Sequence, residues 1–280
     1  MVVMQSKDNP KSKIPIRIEG SIKAQMADHI PAAEADSPSE SAVKRLTRRP
    51  KKIPKIQSRL RRHIVSMPIE ILAASGIVIW GRRVKSLVFT TDIAIIRNCD
   101  TDAVLAIYPF TPQQVISNSI IQSSYIPVFA GVGGGTTQGI RSVALAQDAE
   151  AQGAMGLVVN APMTNENIKS ICTHVDIPVV VTVLNEHTDI EARIAAGASI
   201  LNVSAAADTP KVVRNIRSRY PDLPIIATGG PTTKSIVETI KAGANAISYT
   251  PPCTKELFAS MMDDYRNREM QQQPPCVILS

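Results

Sequence analysis

Residues 223–250, LPIIATGGPTTKSIVETIKAGANAISYT, decide the fold. An apolar run, LPIIAT, is followed by a glycine pair, by a stretch with apolar residues at helical spacing, and by a second apolar run, AISYT. Both runs are nearly continuous in apolar character, which is typical of parallel strands that are buried on both faces. The segment therefore predicts a strand–helix–strand unit whose two strands are parallel.

The same unit recurs upstream. Eight apolar runs are separated by helical patterns, and the predicted strands are 86–89, 103–108, 126–131, 156–160, 177–183, 199–204, 223–228 and 246–250. From the third strand onward, runs that begin with proline (IPVFAG, IPVVVTV, LPIIAT) alternate with runs that begin with Gly-Ala (GAMGLVVN, GASILNVS, GANAISYT), and each kind recurs every 44–51 residues. A period of two strand–helix units favours an α/β fold of the (β/α)8 TIM-barrel type. A doubly wound open sheet is the alternative.

Charge divides the chain into parts. Residues 1–66 hold 15 Lys and Arg against 6 Asp and Glu, whereas the remainder holds 16 against 18. We therefore expect a basic, low-complexity N-terminal extension over 1–66, a barrel over 67–268 and a flexible C-terminal tail over 269–280. The basic run within 41–62 contains no acid and could bind nucleic acid. The alternative is a solvated, disordered extension.

The sequence also indicates a cellular location. No run approaches 18 apolar residues, so no membrane span is predicted. The N-terminus lacks a secretory signal pattern, and the four cysteines are scattered without a CxxC pair. We expect a cytoplasmic protein whose partner is a small molecule, and a homo-oligomer remains open.

The glycine-rich stretch GVGGGTTQG, residues 131–139, fits neither strict phosphate-binding motif. It has no lysine for a P-loop and lacks the third glycine or alanine of the dinucleotide fingerprint. In a barrel it follows the third strand and faces the active end. We expect Gly133, Gly134 and Gly135 to form a mobile substrate-binding lid, so that Gly134→Ala impairs closure more than stability. Thr136 and Thr137 would supply hydroxyls, one of them capping the next helix.

The loops after the seventh and eighth strands are the usual phosphate site of such barrels. Here they read TGGPTT (228–233) and TPPCTKE (250–256). We expect Thr228, Gly229, Gly230 and Thr250 to bind a phosphate with backbone amides and the next helix N-terminus. The alternative is that the glycine pair is only a connector.

Two resemblances add to this pattern. Residues 225–247, IIATGGPTTKSIVETIKAGANAI, resemble the last two units of the ribulose-phosphate-binding barrel superfamily, which implies phosphate binding but no particular reaction. Across roughly 55–265 the chain is also similar to a group of bacterial barrel proteins with a generic hydrolase label. The matching stretches are ASGIVIWGRRVKSLVFTTDIAIIRNCD, YPFTPQQVI, GVGGGTTQG and GANAISYTPP.

Catalytic groups of a barrel lie where its strands end. The best-placed candidates are Asp92, Asn160 and Glu186, with the carboxylates as acid/base groups. Asp92 could instead cap the helix IAIIRN, and Glu186 could be a first-turn acid favoured by the helix dipole. No lysine lies in strands two to eight or at their ends, which argues against a Schiff-base aldolase.

The histidines show no metal-binding spacing, and no G-x-S-x-G motif is present, so no metal or cofactor is predicted. The leading hypothesis is an enzyme that acts on a small phosphorylated metabolite as an isomerase, epimerase or lyase. The alternatives are a hydrolase with a carboxylate-activated water, and a non-catalytic ligand sensor or nucleic-acid-associated protein that uses the basic run.

Overall fold

The computed structural model describes Pro54, Ile56 and residues 64–272, with side chains up to residue 267. Within this part of the chain, eight parallel strands close a barrel in the order β10-β3-β4-β5-β6-β7-β8-β9. The strands are β1 Ile77–Ile79, β2 Arg82–Val84, β3 Ser86–Phe89, β4 Ala103–Ala106, β5 Val128–Gly133, β6 Gly156–Val159, β7 Val179–Val183, β8 Ile200–Val203, β9 Ile225–Thr228 and β10 Ala246–Tyr249. All eight predicted strands are present, so the TIM-barrel prediction is confirmed.

Helices follow the barrel strands. Those described are α1 Ile93–Ile96, α2 Gln114–Ser123, α3 Ile140–Ala151, α4 Asn165–Cys172, α5 Ile190–Ala195, α6 Thr209–Arg219, α7 Thr233–Lys241 and α8 Thr254–Gln272, with short 3-10 turns at Ile69–Ala73 and Ala206–Asp208. None of these helices is both long and apolar enough to cross a membrane. The basic run and the remainder of the expected extension lie outside the described residues, apart from Pro54, Ile56 and residues 64–66. Val65 already joins the barrel, because its N–H donates to Asn98 O at 2.8 Å.

The alternation of Gly-Ala and proline has a backbone cause. The glycines that follow α3, α5 and α7 take the left-handed conformation, and the alanine after each donates its N–H to the carbonyl five residues back, as in a Schellman cap. These glycines are Gly153 (φ 93°), Gly197 (φ 107°) and Gly243 (φ 113°). The prolines precede β5, β7 and β9 and have no N–H to leave unpaired, while their carbonyls accept from the neighbouring strand. Pro127, Pro178 and Pro224 accept in this way from Val104, Leu157 and Leu201.

A hairpin that the sequence did not predict lies next to the barrel. Strands β1 and β2 pair antiparallel through a turn in which Trp80 and Gly81 both have positive φ, 47° and 77°. Their apolar residues Ile77, Ile79 and Val84 belong to the same buried cluster as the barrel-interior side chains. The hairpin therefore adds apolar packing to the barrel interior.

The first and last barrel strands meet at a seam. Strand β10 pairs in parallel with β3, so that Ser248 lies opposite Leu87. Asn245, just before β10, reinforces this seam. Its side-chain Nδ2 donates to Ser75 Oγ at 2.9 Å, and its backbone carbonyl accepts from Gly76 N at 2.7 Å. Its Oδ1 also accepts from Ile225 N and from Arg217. One side chain thus joins the start of the barrel to β9, β10 and α6.

Alternate residues of each strand enter two different cores. On β8, Ile200 belongs to the barrel interior, whereas Leu201 and Val203 pack in the cluster shared with the surrounding helices. The same alternation places Val180 of β7 inside and its neighbours Val179 and Val181 outside. This parity tells which side chains near the carboxyl ends point toward the barrel axis.

Candidate functional site

Uncharged polar side chains occupy the upper interior of the barrel. By the alternation within each strand, the residues that follow the last interior apolar positions point to the axis; these are Asn160, Thr182, Asn202, Thr228 and Ser248. Thr182, Asn202 and Ser248 are buried, at 5–6% exposure. None of the five carries a titratable group, so this layer offers hydrogen bonds and no charge.

A cavity of 640 Å³ lies at the ends of β9 and β10. Its polar lining comes from Thr228, Ser248, Tyr249, Thr250 and Glu256. Gly230 also lines the cavity, so three of the four residues expected at the phosphate site are found here. The structure thus brings Thr228, Gly230 and Thr250 together, as the sequence predicted.

Helix α7 begins beside this cavity with a reciprocal cap. Thr232 Oγ1 accepts from Ser235 N at 3.2 Å, and Ser235 Oγ accepts from Thr232 N at 3.2 Å. The amides of Thr233 and Lys234 lie in the first turn, where a helix offers no internal acceptor. They are available to an anion, and the helix dipole favours one.

The glycine pair has packing reasons of its own. A Cβ on Gly229 would lie 2.7 Å from Ile247 Cγ2, where α7 packs on β10. Gly230 has φ +74°, and a Cβ there would lie 2.6 Å from Ser235 Oγ of the cap. Both glycines are therefore required by the fold itself, and phosphate binding is not needed to explain them.

Glu256 is the charged residue of the cavity lining. Hydrogen bonds from the backbone N–H of Cys253, at 2.8 Å, and from its thiol hold the pKa of the Glu256 carboxyl below the ordinary value. The carboxylate therefore stays ionised near neutral pH, and it opposes an anion that binds close to it. An anion is best accommodated on the side of the cavity formed by the start of α7.

The glycine-rich segment is more firmly packed than expected. Gly133 belongs to β5, and its carbonyl accepts from Asn160 N at 2.9 Å. Gly134 is buried with φ +118°, and a Cβ there would lie 2.5 Å from Asn160 N. This crowding argues against the expectation that Gly134→Ala impairs closure more than stability. Gly135 alone of the three is exposed with open space around it.

The helix after this segment begins differently as well. Its N-cap is Gly139, with φ 63° and no side-chain cap, so neither Thr136 nor Thr137 caps it. Thr137 instead supplies a carbonyl that accepts from Gly134 N and from Ser142 Oγ, both at 3.1 Å. These bonds close the segment into a tight loop in which only Gly135 and Thr136 are exposed.

A second cavity, of 490 Å³, lies over this loop. Its lining joins the Gly133–Thr137 loop and Asn160 to the segment after β4, and contains Tyr108, Phe110 and Thr111. Tyr108 Oη accepts from Gln113 N at 2.8 Å, which fixes the phenol at the start of α2. Asn160 thus lies at the mouth as predicted, together with Gly133, Gly135 and Thr136.

Asp92 acts as a helix cap. Its Oδ1 accepts from Ala94 N at 2.8 Å and from Ile95 N at 3.3 Å, and its Oδ2 accepts from the hydroxyl of Thr254. The carboxylate therefore joins α1 to α8. Asp92 lines neither of the two mouth cavities.

Glu186 lies in a different environment again. It forms an ion pair with Lys211 of α6 at 2.9 Å and accepts from Asn215. The Lys211 ammonium, through its hydrogen bond and its charge, lowers the pKa of the Glu186 carboxyl. Glu186 lines a small crevice between α5 and α6 rather than the mouth cavities, so the structure does not bring Asp92, Asn160 and Glu186 together.

Three interior residues were missed from the sequence: Thr182, Asn202 and Ser248. Each stands at an alternate position of an otherwise apolar strand, so the period of two could have found them.

The described residues contain no group of three His, Cys, Asp or Glu that could hold a metal ion. The thiols of Cys99 and Cys172 have pKa values raised by burial, which leaves them protonated near neutral pH.

The fold and the mouth define a TIM barrel with a neutral polar interior. No protein-family model matches the chain, and no curated protein matches it. Solved structures do. The crystal structure of 2,3-dimethylmalate lyase, of the PEP mutase/isocitrate lyase superfamily, matches with a TM-score of 0.51 and 13% identity over 78% of this chain and 88% of that one.

Two further structures are similar. Phosphoenolpyruvate phosphomutase from Streptomyces platensis subsp. rosaceus matches with a TM-score of 0.50 and 17% identity over 66% of this chain and 81% of that one. Phosphonopyruvate hydrolase in complex with oxalate and Mg²⁺ matches with a TM-score of 0.50 and 12% identity over 75% and 89%. At these identities the likeness concerns the fold.

Proposed function

We propose that this barrel is an enzyme that binds a small phosphorylated or carboxylate metabolite at the β9–β10 end of its mouth. The observation that carries the proposal is the 640 Å³ cavity that is lined by Thr228, Ser248 and Thr250 and extends to Pro231, the residue just before the Thr232 cap of α7. Hydroxyls and first-turn amides are the donors that phosphate and carboxylate oxygens accept from.

The reaction class is proposed as lyase, mutase or isomerase. The similar folds include a phosphomutase and a lyase, named for the small anions phosphoenolpyruvate and 2,3-dimethylmalate. The resemblance of residues 225–247 to ribulose-phosphate-binding barrels supports the same half of the mouth. The first line of support concerns the kind of ligand, and the second concerns its place, the loops after the last two strands.

The hydrolase alternative is favoured by the similar fold of phosphonopyruvate hydrolase. Its complex contains Mg²⁺, a cation that proteins hold through carboxylates. Apart from the single carboxylate of Glu256, the polar groups at this mouth are hydroxyls and amides, and the described residues contain no group of three potential metal ligands, so they do not fit that ion. No step of the proposed reaction runs through a metal.

Carboxylate acid/base catalysis by Asp92 or Glu186 remains a proposal. Either residue would have to leave its present partners, the α1 amides for Asp92 and Lys211 for Glu186, to reach a ligand in the mouth. Asn160 needs no such change, because it already lines the 490 Å³ cavity, where its amide is suited to stabilise a developing oxyanion.

Titration calorimetry with inorganic phosphate, phosphoenolpyruvate and oxalate tests the binding proposal. We expect Thr250→Val to weaken binding about tenfold, because a hydrogen bond to a charged group contributes about 1.5–3 kcal/mol. Thr173→Val is the matched control, since Thr173 is an equally exposed threonine at the end of α4, far from the cavity lining. Glu256→Gln should strengthen binding by removing the repelling charge.

The proposal would be overturned if none of the three anions bound, or if Thr173→Val weakened binding as much as Thr250→Val.

Three further proposals are independent of the anion site: nucleic-acid binding through residues 41–62, a cytoplasmic location and a homo-oligomer. The basic run that would carry the first of them lies outside the described residues, apart from Pro54 and Ile56.

A further inference from the structure

Two buried side-chain oxygens in the described part of the chain have no hydrogen-bond partner: Asn118 Oδ1 and Asn202 Oδ1. Asn118 belongs to the outer helix α2, whereas Asn202 belongs to β8. Ile200 points into the barrel and Leu201 and Val203 point outward, so Asn202 points into the barrel one level above Ile200. An unpaired acceptor therefore lies in the upper interior.

The side chain of Asn202 has few hydrogen-bond partners around it. Its Nδ2 donates to Thr182 Oγ1 at 3.5 Å, the outer limit of a hydrogen bond. On the neighbouring strand β9, Thr228 Oγ1 donates to Ser204 Oγ at 3.2 Å and so already has a partner. Turning the amide by 180° would exchange its oxygen and nitrogen but would leave one end unpaired. A buried polar group without a partner destabilises the protein, and such groups are found where a ligand supplies the partner.

We infer that Asn202 is a specificity-determining residue that hydrogen-bonds a hydroxyl group of the bound metabolite. The inference rests on the proposed function, which places the anionic end of the ligand at the start of α7. A hydroxyl both donates and accepts, so it satisfies either orientation of the amide. Asn202 Oδ1 is covered in the ligand-free barrel, so the contact requires the amide to rotate toward the mouth.

The rest of the interior layer agrees with this ligand chemistry. Thr182, Ser204, Thr228 and Ser248 are hydroxyl groups without charge, suited to a polyhydroxylated chain and not to a second anionic group. The substrate class is therefore a hydroxylated phosphate monoester or a hydroxy acid. Its anionic group would lie at α7, and its hydroxyls would extend toward Asn202.

A matched pair of ligands tests the inference: glycerol 3-phosphate, and propyl phosphate, which lacks the two hydroxyls. We expect the wild type to bind glycerol 3-phosphate about five- to tenfold more tightly, the worth of about one hydrogen bond. Asn202→Leu should bind the two ligands equally, with its affinity for propyl phosphate unchanged. Because it also removes an unpaired buried acceptor, it should raise the Tm by about 2–4 °C.

Asn118→Leu is the matched control. It removes the other unpaired acceptor, so it should raise the Tm in the same way, but it should leave the preference for glycerol 3-phosphate intact. Asn202→Ala gives the same ligand comparison should the leucine variant fail to fold. A preference that survives both Asn202 variants overturns the inference.

The failures of the two proposals differ in this experiment. Equal binding of both ligands by the wild type overturns the role of Asn202 and leaves the anion site standing. Absence of binding for either ligand overturns the proposed function, and the inference falls with it.

Discussion

Replacing Gly134 by alanine should destabilise the barrel strongly. The backbone at Gly134 has φ +118°, which L residues rarely adopt, and the added Cβ would lie 2.5 Å from Asn160 N and 2.7 Å from Asn160 O. The strained backbone costs about 1–3 kcal/mol, and overpacking against a backbone costs about as much again. We therefore expect a loss of at least about 2 kcal/mol in the free energy of unfolding.

Thermal unfolding followed by circular dichroism measures this loss. For a domain of this size about 2 kcal/mol corresponds to a fall in Tm of at least about 4 °C. Gly135→Ala is the control one residue away, because its Cβ would meet nothing within 4 Å and its φ is not positive. That variant should be neutral or slightly more stable, since alanine restricts the unfolded chain.

The reasoning would be refuted by a Gly134→Ala protein whose Tm stayed within about 1 °C of the wild type. Such a result would mean that the Gly133–Thr137 loop can move away from Asn160 without cost. It would restore the expectation of a mobile lid over the mouth. Equal destabilisation by Gly134→Ala and Gly135→Ala would refute it too, because only one of the two positions is crowded.

Three substitutions and one deletion test other parts of the molecule. Asp92→Ala should lower the free energy of unfolding by about 0.5–2 kcal/mol, because it removes the N-cap of α1. Asp92→Asn keeps a good N-cap and should leave the stability unchanged. Loss of turnover in Asp92→Asn without a fall in Tm would therefore reveal a catalytic role. The ion pair with Lys211 lowers the pKa of Glu186, so its small stabilising effect is present above the unfolded-state pKa and is lost as pH falls through the folded-state value. The Tm difference between wild type and Glu186→Gln should accordingly be seen at pH 7 and decrease as the solution is made acidic, and a pH-independent difference would contradict the assignment. Deleting residues 1–62 should abolish salt-dependent nucleic-acid binding, if the chain has it, and leave the barrel Tm unchanged; a fall in Tm would show that the barrel needs this segment.

The barrel could be predicted because its cause is local and repeated. Each Gly-Ala start marks a left-handed helix cap, and each proline start marks the residue before a strand, where no backbone N–H is needed. The hairpin of β1 and β2 has no comparable sequence signal. Its strands have three residues each, and its turn, Trp80-Gly81, does not have the asparagine or aspartate that usually marks this turn type.

The site was predicted only in part, since the partners of its charged residues are distant in sequence. Asp92 could be recognised as a candidate cap, but its bond to Thr254 joins residues 162 positions apart. Lys211, which pairs with Glu186, is 25 positions away on another helix. The loop residues Thr228, Gly230 and Thr250 were found together because the order of strands in a barrel places their ends side by side.

The seam at Asn245 has a kinetic consequence. The hydrogen bond from Asn245 to Ser75 joins residues 170 positions apart, and β3 gains its second neighbour only when β10 arrives. Closing so long a loop is entropically costly, and contacts of this range slow folding. We therefore expect the ring to close late in folding, and an open sheet of the seven strands β3 to β9, with unpaired edges at β3 and β9, to be the species most exposed to aggregation.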